Sequence, residues 1–360
     1  MSQVEWLAAA APARYPSAPV WNQTEARLYW SDIDACKLFR LDPASGEVET
    51  VLDDGRPVGA IVVQADASLL LFRENGCVES FRDGAVTDTV VPPISDLRRT
   101  RFACAVADPA GCVICATLSS PKHPARLYLL DRNGRLFLLR ETIGTPSGLS
   151  FTADGRTLLL SNSHAIRPET LRFDYGASPL AAAPFFNCLD EAPRQRGVPG
   201  GIAPVADGSV IIARIGGAAV IRHVPTGEKL YTYSIPVKRP IGLCFGGPEM
   251  CDLFITTAGA HRIFIDGAHA GEIAFLPGQK IQGAIPFPAR IGLSDDAAPP
   301  PPPPPPEPMP EAEPEAPDNP SSANPSADPS DYPSGANPSA DPSNDPSAAN
   351  PSAAPSAPTA

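Results

Sequence analysis

Residues 26–42 read ARLYWSDIDACKLFRLD, and the two apolar runs in this stretch decide the fold class. ARLYWSDI (26–33) and KLFRLD (37–42) are short runs with a period of two, the pattern of half-buried β-strands and not of a helix. The same signature returns at SLLLF (68–72), RLYLLD (126–131), RLFLLR (135–140), TLLLSN (157–162), SVIIAR (209–214), AVIRHV (219–224) and DLFITTA (252–258). Gly, Asp, Pro and Asn separate the runs. No segment of a dozen residues keeps helical periodicity with caps, so the chain reads as all-β.

A repeat is visible in the turns. Asn22, Asp66, Asp108, Asp154, Asp207 and Gly247 each fall between two strands, at intervals of 44, 42, 46, 53 and 40 residues. Each interval has room for four short strands with their turns, the size of one propeller blade. Six such units fill the chain from about residue 14 to 290 and predict a six-bladed β-propeller, with a pair of β-sandwiches as the competing architecture. Glycine steps at Ser45-Gly46, Asn75-Gly76, Asn133-Gly134, Asp154-Gly155 and Asp207-Gly208 suit hairpin turns, and none sits in a βα unit that would cradle phosphate.

Composition divides the chain. Residues 291–360 carry eleven Asp or Glu and no Lys or Arg, whereas the first 290 carry twenty-nine acids against twenty-eight bases. The overall charge of −12 therefore belongs to the tail, and the core offers no broad basic surface for nucleic acid. The expected organisation is an extension over 1–13, the propeller over 14–293 and a disordered acidic Pro/Ser/Ala-rich tail over 294–360. The tail lacks the apolar surface to offset its ordering entropy. Its eight-proline run at 299–306 reads as a polyproline II spacer, with an unknown partner or none.

The amino terminus lacks the basic and apolar stretches of a signal peptide, and no window is long and apolar enough to cross a membrane. The eight cysteines have no small-domain framework. Reduced thiols and a cytoplasmic location are the expectation. Cys112 and Cys115 have CxxC spacing, but residues three apart on a strand face opposite ways and read as core thiols.

Four segments carry a family resemblance: SAPVW (17–21), RFACAVADPAG (101–111), TPSGL (145–149) and GVPGGIA (197–203). They resemble the metal-site segments EGPxW, RxNDGxxDxxG, xPNGL and GxPDGxA of the gluconolactonase, regucalcin and senescence-marker-protein family of six-bladed propellers. Residues 26–47, 151–163, 171–175 and 239–258 resemble the family's first, fourth and last blades. The resemblance runs in order from residue 14 to about 275 and leaves the tail without a counterpart.

It implies a divalent cation, usually calcium, on the axis, polarising a lactone carbonyl with a metal-associated water as nucleophile. The ligand positions here hold Ser17, Ala103, Ser147 and Gly200, which removes both carboxylates and both amides. Arg101 matches the family arginine implied to contact substrate oxygens, and Asn162 stands where the family has an Asp. A rebuilt site would draw on His164 as candidate base or ligand and on the pair Asp32 and Asp34. The leading expectation is a propeller without the family's metal that binds a small molecule, a lactone or sugar acid among the candidates, and needs no cofactor. The alternatives are a lactonase-type carboxylic ester hydrolase using Ca or Zn on substituted ligands, and an interaction protein that works through its tail.

Overall fold

The computed structural model describes residues 4–7, 13–119, 123–164, 166–176, 181–188, 197–259, 266–294 and 296. Among them the named elements are β-strands and a 3-10 turn at Ser95–Leu97. Twenty-four strands form six four-stranded antiparallel sheets, the blades of a propeller. Blade 1 holds β2 (Pro16–Asn22), β3 (Arg27–Asp32), β4 (Lys37–Asp42) and β5 (Glu47–Asp53). Blade 2 holds β6 (Val58–Val63), β7 (Leu69–Arg73), β8 (Val78–Arg82) and β9 (Ala85–Val91). Blade 3 holds β10 (Phe102–Ala107), β11 (Val113–Thr117), β12 (Arg126–Leu130) and β13 (Leu136–Glu141). Blade 4 holds β14 (Pro146–Phe151), β15 (Thr157–Asn162), β16 (Glu169–Asp174) and β17 (Ala182–Asn187). Blade 5 holds β18 (Val198–Pro204), β19 (Val210–Ile215), β20 (Ala219–His223) and β21 (Lys229–Ser234).

Blade 6 is assembled from both ends of the chain. Its inner three strands are β22 (Pro240–Gly246), β23 (Asp252–Thr257) and β24 (Ile273–Leu276), and the fourth is β1 (Glu5–Leu7). Trp6 pairs with Ala274 and Leu7 with Ile273. The expectation that residues 1–13 precede the propeller as an extension is therefore corrected, since Glu5–Leu7 completes the last blade. A three-residue strand carries too little periodicity to be read alone; it is fixed by a partner at the other end of the sequence. The tail expected over 294–360 lies outside the described residues, save for residues 294 and 296 at its start.

The six turn residues picked out by the repeat all mark the hairpin between a blade's first and second strands. In four of them the Asp side chain accepts a backbone N–H two residues on: Ser68 for Asp66, Ala110 for Asp108, Arg156 for Asp154 and Ser209 for Asp207. This is the turn chemistry for which Asp is suited. The second strands bury nearly every side chain between blades, as in β7 and β11, whereas outer strands such as β5 face water. Blades 6 and 1 join through Trp21 stacked on Phe254, with Trp30, Leu28 and Leu253 behind them.

All six inner strands are bulged near their start. The register slips between Ser17 and Val20, Val58 and Ala60, Phe102 and Cys104, Pro146 and Gly148, Pro199 and Ile202, and Pro240 and Leu243. A bulge bends a strand and re-aims its side chains. Here it also brings backbones of neighbouring blades together. A Cβ on Gly148 would lie 2.4 Å from the Gly200 carbonyl oxygen, and one on Gly201 would lie 2.8 Å from the Gly242 Cα. We expect Gly148→Ala to cost about 1–3 kcal/mol through this overlap, while Gly176→Ala, with only one atom at 4.0 Å, stays near neutral. Urea denaturation of the two variants checks this; equal midpoints would show that the inner strands do not depend on the close approach.

Candidate functional site

The residues that follow Pro16, Val58, Phe102, Pro146, Pro199 and Pro240 are Ser17, Gly59, Ala103, Ser147, Gly200 and Ile241. They stand at the bulges and form one ring about the axis, with no carboxylate or side-chain amide among them. Below it lies a cavity of about 660 Å³ walled by all six inner strands, with Ser17, Ala103, Ser147 and Ile241 in its lining. Deeper, the wall is Val62, Ala105, Leu149, Ile202, Leu243 and Phe245. Cys104 and Cys244 also line it. Burial pushes both thiols up, that of Cys104 to about 12, so neither is a thiolate nucleophile at neutral pH.

The far end of the cavity is crossed by the chain that follows β24. Ala284 N–H donates to Pro204 O of blade 5, and Ala289 N–H donates to Val63 O of blade 2. Blades 2 and 5 are opposite in a ring of six, so residues 284–289 span the axis. Ile285, Pro286 and Phe287 enter the cavity wall, and the Phe287 ring meets Phe151 of blade 4 edge-on at 6.3 Å. Nothing in the sequence pattern marked this strap, because it makes isolated bridges and no strand.

At the opposite end, the residues just ahead of three inner strands are Tyr15, Arg101 and Arg239. Arg101 is half-buried; its Nη1 donates to Phe102 O at 3.0 Å and lies 3.3 Å from where a Cβ on Gly59 would stand. Burial pushes the Arg101 guanidinium down from its ordinary value, against smaller opposing effects of Tyr15 and Asp34. Burial also raises the Tyr15 phenol, with Arg101 pulling the other way, so Tyr15 is a neutral hydroxyl at physiological pH. Arg239 is anchored, its Nη2 on Gly259 O and its Nε 3.5 Å from Asp266 Oδ1.

The other polar residues singled out by sequence have local partners. Asp32 is buried and accepts N–H groups from Arg14 at 2.7 Å, Tyr15 at 3.0 Å and Ala35 at 3.2 Å, so its carboxylate fixes the entry to β2. Asp34 lies beyond the end of β3 and is exposed, which separates it from the face expected for an i, i+2 pair. His164 is exposed on the loop after β15, outside the cavity lining, and its Nδ1 accepts Ile166 N–H at 3.3 Å. Asn162 holds that loop through Thr145 N–H and His164 N–H. Cys112 precedes β11 and Cys115 is buried within it; none of the eight cysteines forms a disulfide.

The donors at the four family ligand positions do not fit a hard divalent cation, which takes several oxygens, carboxylates above all. The Ser147 hydroxyl donates to Pro199 O at 2.7 Å, tying blade 4 to blade 5, and Ser31 Oγ donates to Ser17 O at 3.3 Å. Ala103 offers no donor atom. Gly200 has no room for a side chain, since a Cβ would lie 2.5 Å from Ile241 O. Among the described residues no three of His, Cys, Asp and Glu gather at metal-binding distance. Gly200→Asp is accordingly expected to destabilise the protein by about 1–3 kcal/mol and to leave it without calcium-dependent stabilisation. Thermal melts with and without added calcium test both; a melting temperature raised by calcium would mean that the ring accepts the metal after all.

The description SMP-30/Gluconolactonase/LRE-like region matches residues 15–259. The chain is 31% identical to the pentonolactonase XacC of Haloferax volcanii, over 72% of this chain and 85% of that protein. It is 27% identical to regucalcin of Xenopus laevis, over 67% of this chain and 82% of the other. Among solved structures, a calcium-binding regucalcin from Agrobacterium tumefaciens superposes with a TM-score of 0.70 at 21% identity, covering 81% of this chain and 98% of that one. At that identity the superposition speaks to the fold alone.

Proposed function

The chain belongs to the SMP-30/gluconolactonase/LRE-like family, and we propose that it serves there as a small-molecule binding protein whose ligand sits in the axial cavity without a divalent metal. One observation carries the reading: a ring of Ser, Gly, Ala, Ser, Gly and Ile stands over a cavity of about 660 Å³ whose middle wall is apolar, with Asn22, Gln64, Arg290 and Asp296 lining its strap end. Pockets of about 300–1,000 Å³ with mostly apolar linings and a few polar anchors are typical of sites for small organic ligands. The anchors here are the hydroxyls of Ser17 and Ser147 near the ring and Ser150 deeper in the wall. A neutral, compact ring compound fits this balance of surfaces.

A second reading is a lactone hydrolase acting through a rebuilt site. It is favoured by Arg101, which matches the family's substrate arginine, and by relatives named pentonolactonase and 6-deoxy-6-sulfogluconolactonase. Metal content of the purified protein, together with gluconolactone hydrolysis with and without calcium, zinc or manganese, separates the two. The binding reading expects no stoichiometric metal and no metal-dependent turnover. It also expects 2-naphthalenemethanol to raise the melting temperature, and Ala105→Phe, which adds bulk at a partly accessible wall position, to abolish that rise. Metal-dependent turnover would replace the binding reading with the hydrolase.

A further inference from the structure

Each blade ends in an outer strand with one unpaired edge, and an unpaired edge invites another strand unless something blunts it. Five of the six are blunted. β1 is three residues long, β17 carries Pro184, which has no N–H to give, β5 carries Glu47, Glu49 and Asp53, β9 carries Asp88, and β21 starts at Lys229. β13 differs. It reads Leu136-Phe137-Leu138-Leu139-Arg140-Glu141, with its charges gathered at one end. Its own device is a bulge that leaves Leu139 unmatched, since Leu138 pairs with Tyr128 and Arg140 with Leu127. Ahead of the bulge, Leu136 to Leu138 keep regular pairing with β12.

The side chains of this strand face water. Among the described residues eight large apolar side chains are exposed, and three of them are consecutive here: Phe137 at 48%, Leu138 at 50% and Leu139 at 37%. The packing of the blade does not require them, because Leu127 and Leu130 of β12 already face its two neighbouring cores. An exposed run of this kind marks a contact surface. The composition of residues 297–360, with no Val, Ile, Leu, Phe or Trp, does not match such a strand.

The charges at its two ends point to the partner. Arg135, exposed and in no ion pair among the described residues, precedes the apolar run, and Glu141 follows it, held on one side by Arg126 at 2.9 Å. Arg140 lies over the Phe173 ring of blade 4, at 6.0 Å from its centre. A strand with a cation before its apolar run and an anion after it is complementary to itself when reversed. Laid antiparallel about Leu138, two copies set Arg135 of each opposite Glu141 of the other, and Phe137 opposite Leu139. Laid parallel, they set like charge on like. A two-fold axis at Leu138 generates the antiparallel arrangement and satisfies both charge pairs at once.

We infer that the protein associates with a second copy of itself through β13, as a two-fold dimer with Leu138 at the symmetry axis. The surface is small, so the dimer is a weak one of the transient class. β13 is the strand of its blade farthest from the inner strand β10, which places the contact away from the axial cavity.

The test is sedimentation equilibrium of the full-length protein from about 5 to about 500 µM, a range suited to a weak interface. The expectation is a mass that climbs from one chain toward two and no further. Leu138→Lys, at an exposed position, should hold the protein at one chain over the same range. Arg135→Glu and Glu141→Arg should each weaken association about ten-fold, since symmetry repeats every lost pair, and the double exchange should recover most of it. Circular dichroism melts report whether each variant folds; should Leu138→Lys not fold, the charge exchanges carry the test. A single-chain mass at the highest concentration, or a mass that grows past two chains, would overturn the inference. So would a dimer that Leu138→Lys leaves intact, which would place the contact elsewhere, or single exchanges that the double exchange does not rescue, which would remove the antiparallel arrangement.

Discussion

The structure depends on six inner strands approaching one another backbone to backbone around a single axis. A Cβ on Gly59 would lie 1.8 Å from the Phe102 carbonyl oxygen, and one on Gly242 would lie 2.6 Å from the Pro19 ring. With the contacts at Gly148 and Gly201, four of the six junctions between blades are made where a side chain is missing. Glycine costs conformational entropy in a strand interior and is kept where backbones must touch. The bulge supplies the rest of the geometry, because it lets each strand turn at its start while the remainder stays paired. The ring of site positions is a by-product of this device: the residues able to face the axis are those that the bulge releases from the ladder.

Closure follows from the same requirement. A ring of blades is stable only when the last packs on the first, and β1 lends the sixth blade its outer strand from the other end of the chain. Trp6 of β1 stacks on His269 at 4.4 Å, and His269 Nδ1 reaches Glu272 at 2.9 Å, so the short strand is held by a ring contact as well as its ladder. The strap, with the residues that flank it over 279–293, acts across the axis in place of along the rim, joining blades 6 and 5 to blades 2 and 3 through backbone hydrogen bonds. Between them these two terminal segments tie together blades that the ring alone would hold only through their neighbours.

Much of this was legible in the sequence. The period-two runs and the turn residues from Asn22 to Gly247 placed the strands and counted the blades, because both signals are local: alternation reports a half-buried strand, and Asp or Asn reports a side chain that caps its own turn. Glu5–Leu7 and residues 284–289 were not legible, since each is fixed by distant partners and has no periodicity of its own. The site was half legible. Family spacing pointed to Ser17, Ala103, Ser147 and Arg101, which the structure gathers at one end of the axis. It could not report that Gly200 has a carbonyl where a side chain would begin, nor that the carboxylate of Asp32 accepts three backbone N–H groups. His164 and Asp34 were selected by chemical type, and chemical type does not tell whether a loop turns toward the axis or away from it.

The treatment of buried charge links the fold to the site. Burial pushes the Asp54 carboxyl up, and the hydrogen bonds from Arg73 and the Arg56 backbone more than reverse that, holding it below its ordinary value. Arg214, fully buried, donates to His223 Nε2 at 2.8 Å and lies 4.4 Å from the Phe186 ring centre, while His223 Nδ1 faces Gly227 O at 2.9 Å. Those two contacts suit a neutral imidazole, with its proton on Nδ1, and such a tautomer can accept from the guanidinium. Within the blades, then, each desolvated cation is given an acceptor or an aromatic face. At the axis the ring holds no carboxylate, and Arg101 donates to the Phe102 carbonyl, with Asp34 exerting a smaller electrostatic effect that opposes its burial. A desolvated charge needs such acceptors and counter-charges to offset what burial costs it.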